Sequence, residues 1–392
     1  MNDVATAPAR QPLSRAEHAE SMKAYQDAGV RRATAIGNKG PVRFDEDGNV
    51  HPDIVAAYWR HGYYIFEGVV GSEELAELRE GCMDMLERAP VRKGADVDAK
   101  GRPAFGRDLG RAAYYMTKPL SDPHGGTQDL GGRHPTQMSQ PQPDAEAPAE
   151  VVLRMYGMCH AIPAALRVYG HPHLLAAAAA VNGQDFVPYN DVIFVKQPGL
   201  GPSISWHQDG VTHWDNPDWD EGIHGFNFQV QLFPTTPANA LWIEPGSHKK
   251  GRADIKRLVA ENGGSDQLPE AIPLVCAAGD VTIVNRQMLH GSFANSSPDM
   301  RMSITFGFHR RRSVLGQIPA LGMKGQDEPM DEARVERRSS VVQVAIDARH
   351  QRFPDEPAFT YQPFAGRDDN FRFNDATFDR VIRDYNLFDL AI

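Results

Sequence analysis

The chain has 392 residues and a mass of 43.3 kDa, with 41 Lys and Arg against 51 Asp and Glu, for a net charge of -10. That acidic balance argues against a nucleic-acid binder or an anionic-membrane binder, since both need clustered excess cation. With 41% hydrophobic and 23% charged residues the chain is too apolar for a disordered protein, and Cys82, Cys159 and Cys276 stand too far apart for a disulfide framework or a thiolate zinc site.

Residues 1–50 are polar and weakly patterned and are expected to form a flexible or loosely docked leader; they lack the apolar core of a secretory signal. Ile54, Val55, Tyr58 and Trp59 recur at helical spacing, Gly62 ends that helix, and Tyr63 to Val70 is predicted as a strand. Ser72 is a good N-cap for a helix running to about Arg88, with Glu73 and Glu74 in its first turn. Residues 91–148 are rich in Gly, Pro, Asp and Gln and are expected to be a long insertion within one domain spanning 51–392. Helix is predicted over 149–181, with Val152, Met155, Leu166, Leu174 and Leu175 as core candidates and Pro163 and Pro172 interrupting it. The longest apolar stretch, Leu174 to Val181, falls well short of the roughly 20 residues a membrane helix needs, so the expected compartment is the cytoplasm. From Val187 to His309 short β-rich runs alternate with Gly, Pro and Asn turns: Asp191–Lys196, Ser203–Asp209, Phe226–Phe233, Ala240–Ile243, Val281–Asn285 and Met302–Phe308. Strands at this spacing predict a closed antiparallel sandwich or barrel. After Arg312 an irregular extension leads to a predicted helix, Thr377 to Leu390.

The chemistry concentrates in Ser205-Trp206-His207-Gln208-Asp209. On a strand, residues i and i+2 share a face, so His207 and Asp209 project together and suit two ligands on one metal ion; most isolated HxD runs are plain surface pairs. His290 follows a predicted buried strand over Val281–Leu289, far enough along for a sheet to return it beside His207. Two His and one carboxylate on one side of a metal form the ligand set of non-heme Fe(II) oxygenases; alone, His290 would read as a capping or core histidine. Arg301, eleven residues later, alternates with Met302, Ile304, Phe306 and Phe308 on one strand. A guanidinium there is costly to bury without an anion and suits a bidentate carboxylate, unless an internal acid pairs with it.

Taken together, these residues resemble the phytanoyl-CoA dioxygenase family of Fe(II)/2-oxoglutarate oxygenases, whose members include bacterial ectoine hydroxylases. The resemblance covers roughly residues 53–90 and 165–310. It includes the run from Tyr58 to Ile65, the Trp206-His207-Gln208-Asp209 run, Pro245-Gly246-Ser247-His248, and His290-Gly291-Ser292 with Arg301. It implies a mainly β protein with flanking helices around a double-stranded β-helix (jelly-roll, cupin-like) core. His207, Asp209 and His290 would hold Fe(II), Arg301 would pair with the distal carboxylate of 2-oxoglutarate, and Ser292 would lie near it. Lys196 matches a family lysine that contacts this cosubstrate, or is a solvated strand-end lysine. Asn190 falls where some relatives contact substrate, or is a turn residue. Gln229 and Gln231 stand on a strand that often bears a cosubstrate-contacting Trp in relatives. His213 and Trp214, in the loop after the triad, are candidates for substrate contact, while His224, His248 and His309 read as structural and Cys276 as inert core. The implied reaction uses O2 and 2-oxoglutarate to hydroxylate or desaturate a small molecule; Asp209 occupies the position that halogenating relatives leave open for halide. Two alternatives stay open: a cosubstrate-independent cupin-type dioxygenase, and a binding barrel without catalysis.

Overall fold

A computed structural model describes residues 13–107, 109, 112–209, 224–318, 329–383 and 385. Its spine is β12 (Arg301–His309), which pairs antiparallel with β5 (Val187–Lys196) on one side and β7 (Gly225–Gln231) on the other. Beyond β7 the sheet continues through β10 (Val281–Asn285), β2 (Tyr63–Phe66) and β1 (Lys39–Gly40). Beyond β5 it continues through β4 (Val151–Met155) and β3 (Tyr114–Thr117), giving eight strands. A second sheet has four: β6 (Ile204–His207), β11 (His290–Ser292), β8 (Trp242–Ile243) and β9 (Ile272–Pro273). Side chains from both sheets enclose one cavity.

The period-2 reading of β12 holds. Met302, Ile304, Phe306 and Phe308 are buried in the main apolar core with Val341, Val344 and Ala345 of the helix Glu332–Arg352. Arg301 and Thr305, on the opposite face, line the cavity. More of the chain is helix than strand, so "mainly β" describes the site-bearing core and not the molecule. Helix α2 (Pro52–His61) opens on a proline at its first turn and closes on Gly62, whose φ of 81° is left-handed and whose missing side chain leaves room for Met288 and His248.

Several expectations fail at the boundaries. Ser72 is the first residue of α3 (Ser72–Glu87) and not its cap; Gly71 takes that position with no side-chain hydrogen bond. The predicted helix over 149–181 begins as a strand, β4, whose Val151, Val152 and Leu153 suit the pleated surface between β3 and β5. Only after Gly157 does the chain turn helical, in α4 (Met158–Ala161), α5 (Pro163–Tyr169) and α6 (Pro172–Asn182). The apolar run from Val281 to Leu289 is not one strand: β10 ends at Asn285 and the chain crosses to the second sheet before His290. The leader also departs from expectation between Arg15 and Ile36. There a 22-residue helix, α1, starts at a capping box between Ser14 and Glu17 and docks by Tyr25, which stacks on Trp242 at 4.5 Å and donates to the Leu268 carbonyl. Near the other end, helical turns occupy Asp375–Thr377 and Phe378–Ile382; most of the predicted helix beyond them lies outside the described residues. No helix among the described residues is long and apolar enough to cross a membrane.

Candidate active site

His207 and His290 are direct cross-strand partners on β6 and β11, with ring centroids 4.1 Å apart. Asp209 lies just past the end of β6, where its amide donates to the Arg286 carbonyl at 2.9 Å. One ligand atom from each of the three residues falls within 4.8 Å of the other two, and all three side chains are buried. The imidazoles are oriented from behind: Nδ1 of His207 meets the Ser205 carbonyl at 2.8 Å and Nδ1 of His290 meets the Met288 carbonyl at 2.8 Å. Each Nδ1–H therefore donates to backbone, which leaves Nε2 as the free lone pair. Those atoms lie 3.5 Å and 3.9 Å from the Asp209 carboxylate.

Charge state favours a metal. Burial and then mutual proximity push the His207 pKa well below that of a free imidazole, and burial lowers that of His290. Burial alone would raise the Asp209 carboxyl, but Arg133, His290, Arg286 and His207 together hold it well below the usual carboxylate range. Two neutral imidazoles and one carboxylate converge there, the protonation states that metal ligation requires.

The same cavity, about 80 Å³, is lined by Arg301, Lys196 and Ser292 as well as the triad. Arg301 is fully enclosed. Its Nη2 donates to Gln229 Oε1 at 3.1 Å and its Nη1 to the Asn239 carbonyl at 3.3 Å, while Nε has no partner. No carboxylate among the described residues pairs with it, and burial brings its pKa down to about 10, so it stays charged. Lys196 sits directly opposite it across β5 and β12. That ammonium is not solvated: it donates to the carbonyls of Pro202 at 2.7 Å and Phe293 at 2.5 Å, and burial, then Arg301, press its pKa well down. Burial and the neighbouring Arg301 both work against a second positive charge at Lys196, and only Asp122 opposes them.

Other candidates fare differently. Asn190 does not line this cavity; it lies where the β5–β12 register shifts, with its buried Oδ1 unpartnered among the described residues. His213 and Trp214 lie outside the described residues. His224, His248 and His309 point into hydrogen bonds with Tyr58, the Trp59 carbonyl and Arg286 respectively, and none lines the cavity. Burial pushes the Cys276 thiol up to about 12, as inert core requires.

Sequence reasoning missed a whole wall. Arg133 and His134 lie between β3 and β4: Arg133 Nη1 donates to Asp209 Oδ1 at 3.0 Å, and the His134 ring lies 4.2 Å from that of His207. Asn227 on β7 donates to Asp209 Oδ2 at 3.1 Å, and Arg154 on β4 faces the cavity beside His124. Nothing in the sequence singled out Arg133 and His134 from the other Arg and His of residues 91–148, and no spacing tied them to the triad.

Donor set and cavity define a mononuclear two-histidine, one-carboxylate centre of the kind that suits Fe(II) in oxygenases. The family model described as "Phytanoyl-CoA dioxygenase (PhyH)" matches residues 58–303, and the chain belongs to that family of non-heme iron enzymes, whose cofactors are Fe(II), 2-oxoglutarate and O2. The residues present fit that equipment: a neutral-imidazole triad for the metal and a buried guanidinium without an internal acid for a dicarboxylate. A curated relative, Phytanoyl-CoA dioxygenase 1 of Oryza sativa subsp. japonica, is 31% identical over 117 residues, which are 28% of this chain and 40% of the relative. Among solved structures, EctD from S. alaskensis with 2-oxoglutarate and 5-hydroxyectoine is 16% identical, over 74% of this chain and 85% of that one, at a TM-score of 0.49. The SnoK carbocyclase from nogalamycin biosynthesis is also 16% identical, over 74% and 95%, at 0.49.

Proposed function

We propose that this chain is an Fe(II)/2-oxoglutarate-dependent oxygenase that hydroxylates, or desaturates, a C–H bond of a small organic metabolite, working as one domain with a double-stranded β-helix core. The observation that carries this is the combination, in one cavity, of the three converging ligands and Arg301, a buried cation with no acid of its own among the described residues. Iron and 2-oxoglutarate, when bound, supply the oxidising chemistry, in which the ketoacid leaves as succinate and CO2. His207, Asp209 and His290, all bordering the cavity, would hold the metal. Arg301 fixes the distal carboxylate in a fork whose other arms are tied to Gln229 and Asn239. Lys196 borders the same pole, its Nζ donating to the Pro202 and Phe293 carbonyls, as does Ser292. Phe194 and Leu241 line the remaining wall and exclude water.

Iron-reconstituted protein should couple 2-oxoglutarate consumption to O2 uptake, and a product heavier than its substrate by one oxygen atom, or lighter by two hydrogen atoms if the reaction is a desaturation, should form only when iron, cosubstrate and O2 are all present. Turnover that survives both Asp209→Ala and His290→Ala would remove the ligand assignment. Oxygenation by the unaltered protein without 2-oxoglutarate would point to cosubstrate-independent dioxygenation instead, and an Arg301→Ala enzyme with unchanged 2-oxoglutarate dependence would remove the role given to Arg301.

A further inference from the structure

The cavity has a second cationic pole besides Arg301. Arg154 lines it from β4, is partly buried, and has no carboxylate within ion-pair distance among the described residues; its Nε–H is buried without a partner. Its head is held in place on two sides: Nη2 meets His124 Nε2, and the guanidinium lies over the Tyr115 ring at 4.4 Å. Burial, then Arg154 and Arg133, lower the His124 pKa to about 3, so that ring is neutral and accepts from the guanidinium. Asp209 is the one acid lining the cavity among the described residues, and it is engaged with Arg133.

This pole is separate from Arg301. Arg154 pairs with Phe194, which pairs with Ser303, two residues beyond Arg301. Two strand spacings across the sheet and two residues along it put the two arginine Cα atoms roughly 12 Å apart. The heads then diverge: Arg301 reaches towards Gln229 on β7, and Arg154 towards Tyr115 on β3, the far edge of the sheet. A five-carbon diacid with its far carboxylate on Arg301 and its near end at the metal has no charge left for Arg154.

Resting on the oxygenase assignment above, we propose that Arg154, positioned by His124 and Tyr115, receives a carboxylate of the primary substrate, so that the enzyme acts on an organic acid. A single guanidinium with one arm tied to His124 balances one negative charge, which favours a carboxylate over a phosphate dianion. The test is calorimetric titration of the full chain, loaded with Mn(II) and 2-oxoglutarate under argon, with hexanoate and with hexanamide as the two probes. Hexanoate should bind at least ten-fold tighter than hexanamide. Arg154→Gln should reduce that preference below two-fold while 2-oxoglutarate affinity stays within three-fold, and Arg154→Lys should restore part of the preference. Equal binding of the two probes, or binding of neither at 50 mM, overturns the proposal. So does an Arg154→Gln protein that loses 2-oxoglutarate together with hexanoate, since Arg154 would then serve the cosubstrate. Failure of the unaltered chain to bind 2-oxoglutarate in a metal-dependent way sinks the oxygenase assignment and this inference with it.

Discussion

The Asp209 carboxylate accepts from Arg133 and Asn227, has Arg286 Nε at 3.9 Å, and lies 3.5 Å and 3.9 Å from Nε2 of His207 and His290. A carboxylate so surrounded stays ionised at any working pH and has little rotational freedom. Asn227 does not face the metal but aims the carboxylate that does, so Asn227→Ala should weaken metal binding about 10–100-fold, the usual cost of losing a group that orients a ligand. Equilibrium titration with Mn(II) reads this directly, and affinity unchanged within two-fold would make the Asn227 contact incidental. At the opposite pole, Arg301→Gln removes a charge-assisted contact worth about 1.5–3 kcal/mol. The KM for 2-oxoglutarate should therefore rise roughly 10–100-fold while kcat falls less.

At the scale of elements, β12 carries the heaviest duty, since one strand offers Arg301 to the cavity and Ile304 to the core. Ile304→Ala should cost about 2–5 kcal/mol in denaturant unfolding, the range for truncating a fully buried aliphatic chain. Helix α1 makes a subtler case. Gly29 sits in mid-helix, where glycine costs about 1 kcal/mol relative to alanine. Yet an added Cβ would lie 2.7 Å from the Trp242 ring and 2.9 Å from Pro273. Trp242 cannot retreat, because its Nε1 donates to the Pro237 carbonyl and Tyr25 stacks on its face. Overpacking of about 1–3 kcal/mol outweighs the propensity gain, so Gly29→Ala should lower stability, measured as a reduced denaturation midpoint at constant slope. A stabilised variant would show that α1 is not seated on β8.

For the whole molecule, the governing feature is a set of buried neutral histidines. Burial lowers the pKa of His134 to about 2, of His124 and His224 to about 3, and of His171 and His309 well below normal. The unfolded chain binds these protons near pH 6.5 and the folded chain does not. Stability is therefore full above about pH 7 and is lost as pH falls, by up to about 1.4 kcal/mol per pH unit for each such group. Denaturation midpoints at pH 7.5, 6.5 and 5.5 should drop steeply over the last step, and a flat profile would contradict the burial of these rings. Metal acts in the opposite sense. Mn(II) at a hundred-fold excess over its Kd should stabilise the fold by about 2.7 kcal/mol at pH 7.5, and a chelator should reverse the effect.

The local chemistry was legible in the sequence wherever one strand carried it. HxD spacing predicts two converging side chains, and His207 and Asp209 do converge although Asp209 lies just past the end of β6; alternation along Arg301–His309 separates core from cavity. Periodicity fails for short apolar runs, so Val151–Met155 was misjudged as helix and Val281–Leu289 as a single strand; pairing partners, not the run itself, decide such segments. What only the tertiary structure decided is which distant segments close the cavity. The His207–His290 register, the Arg133 and His134 wall, and the separation of Arg301 from Arg154 are contacts between residues whose spacing along the chain carries no signal. They are fixed by how two sheets stack and by how a stretch without periodicity folds across them.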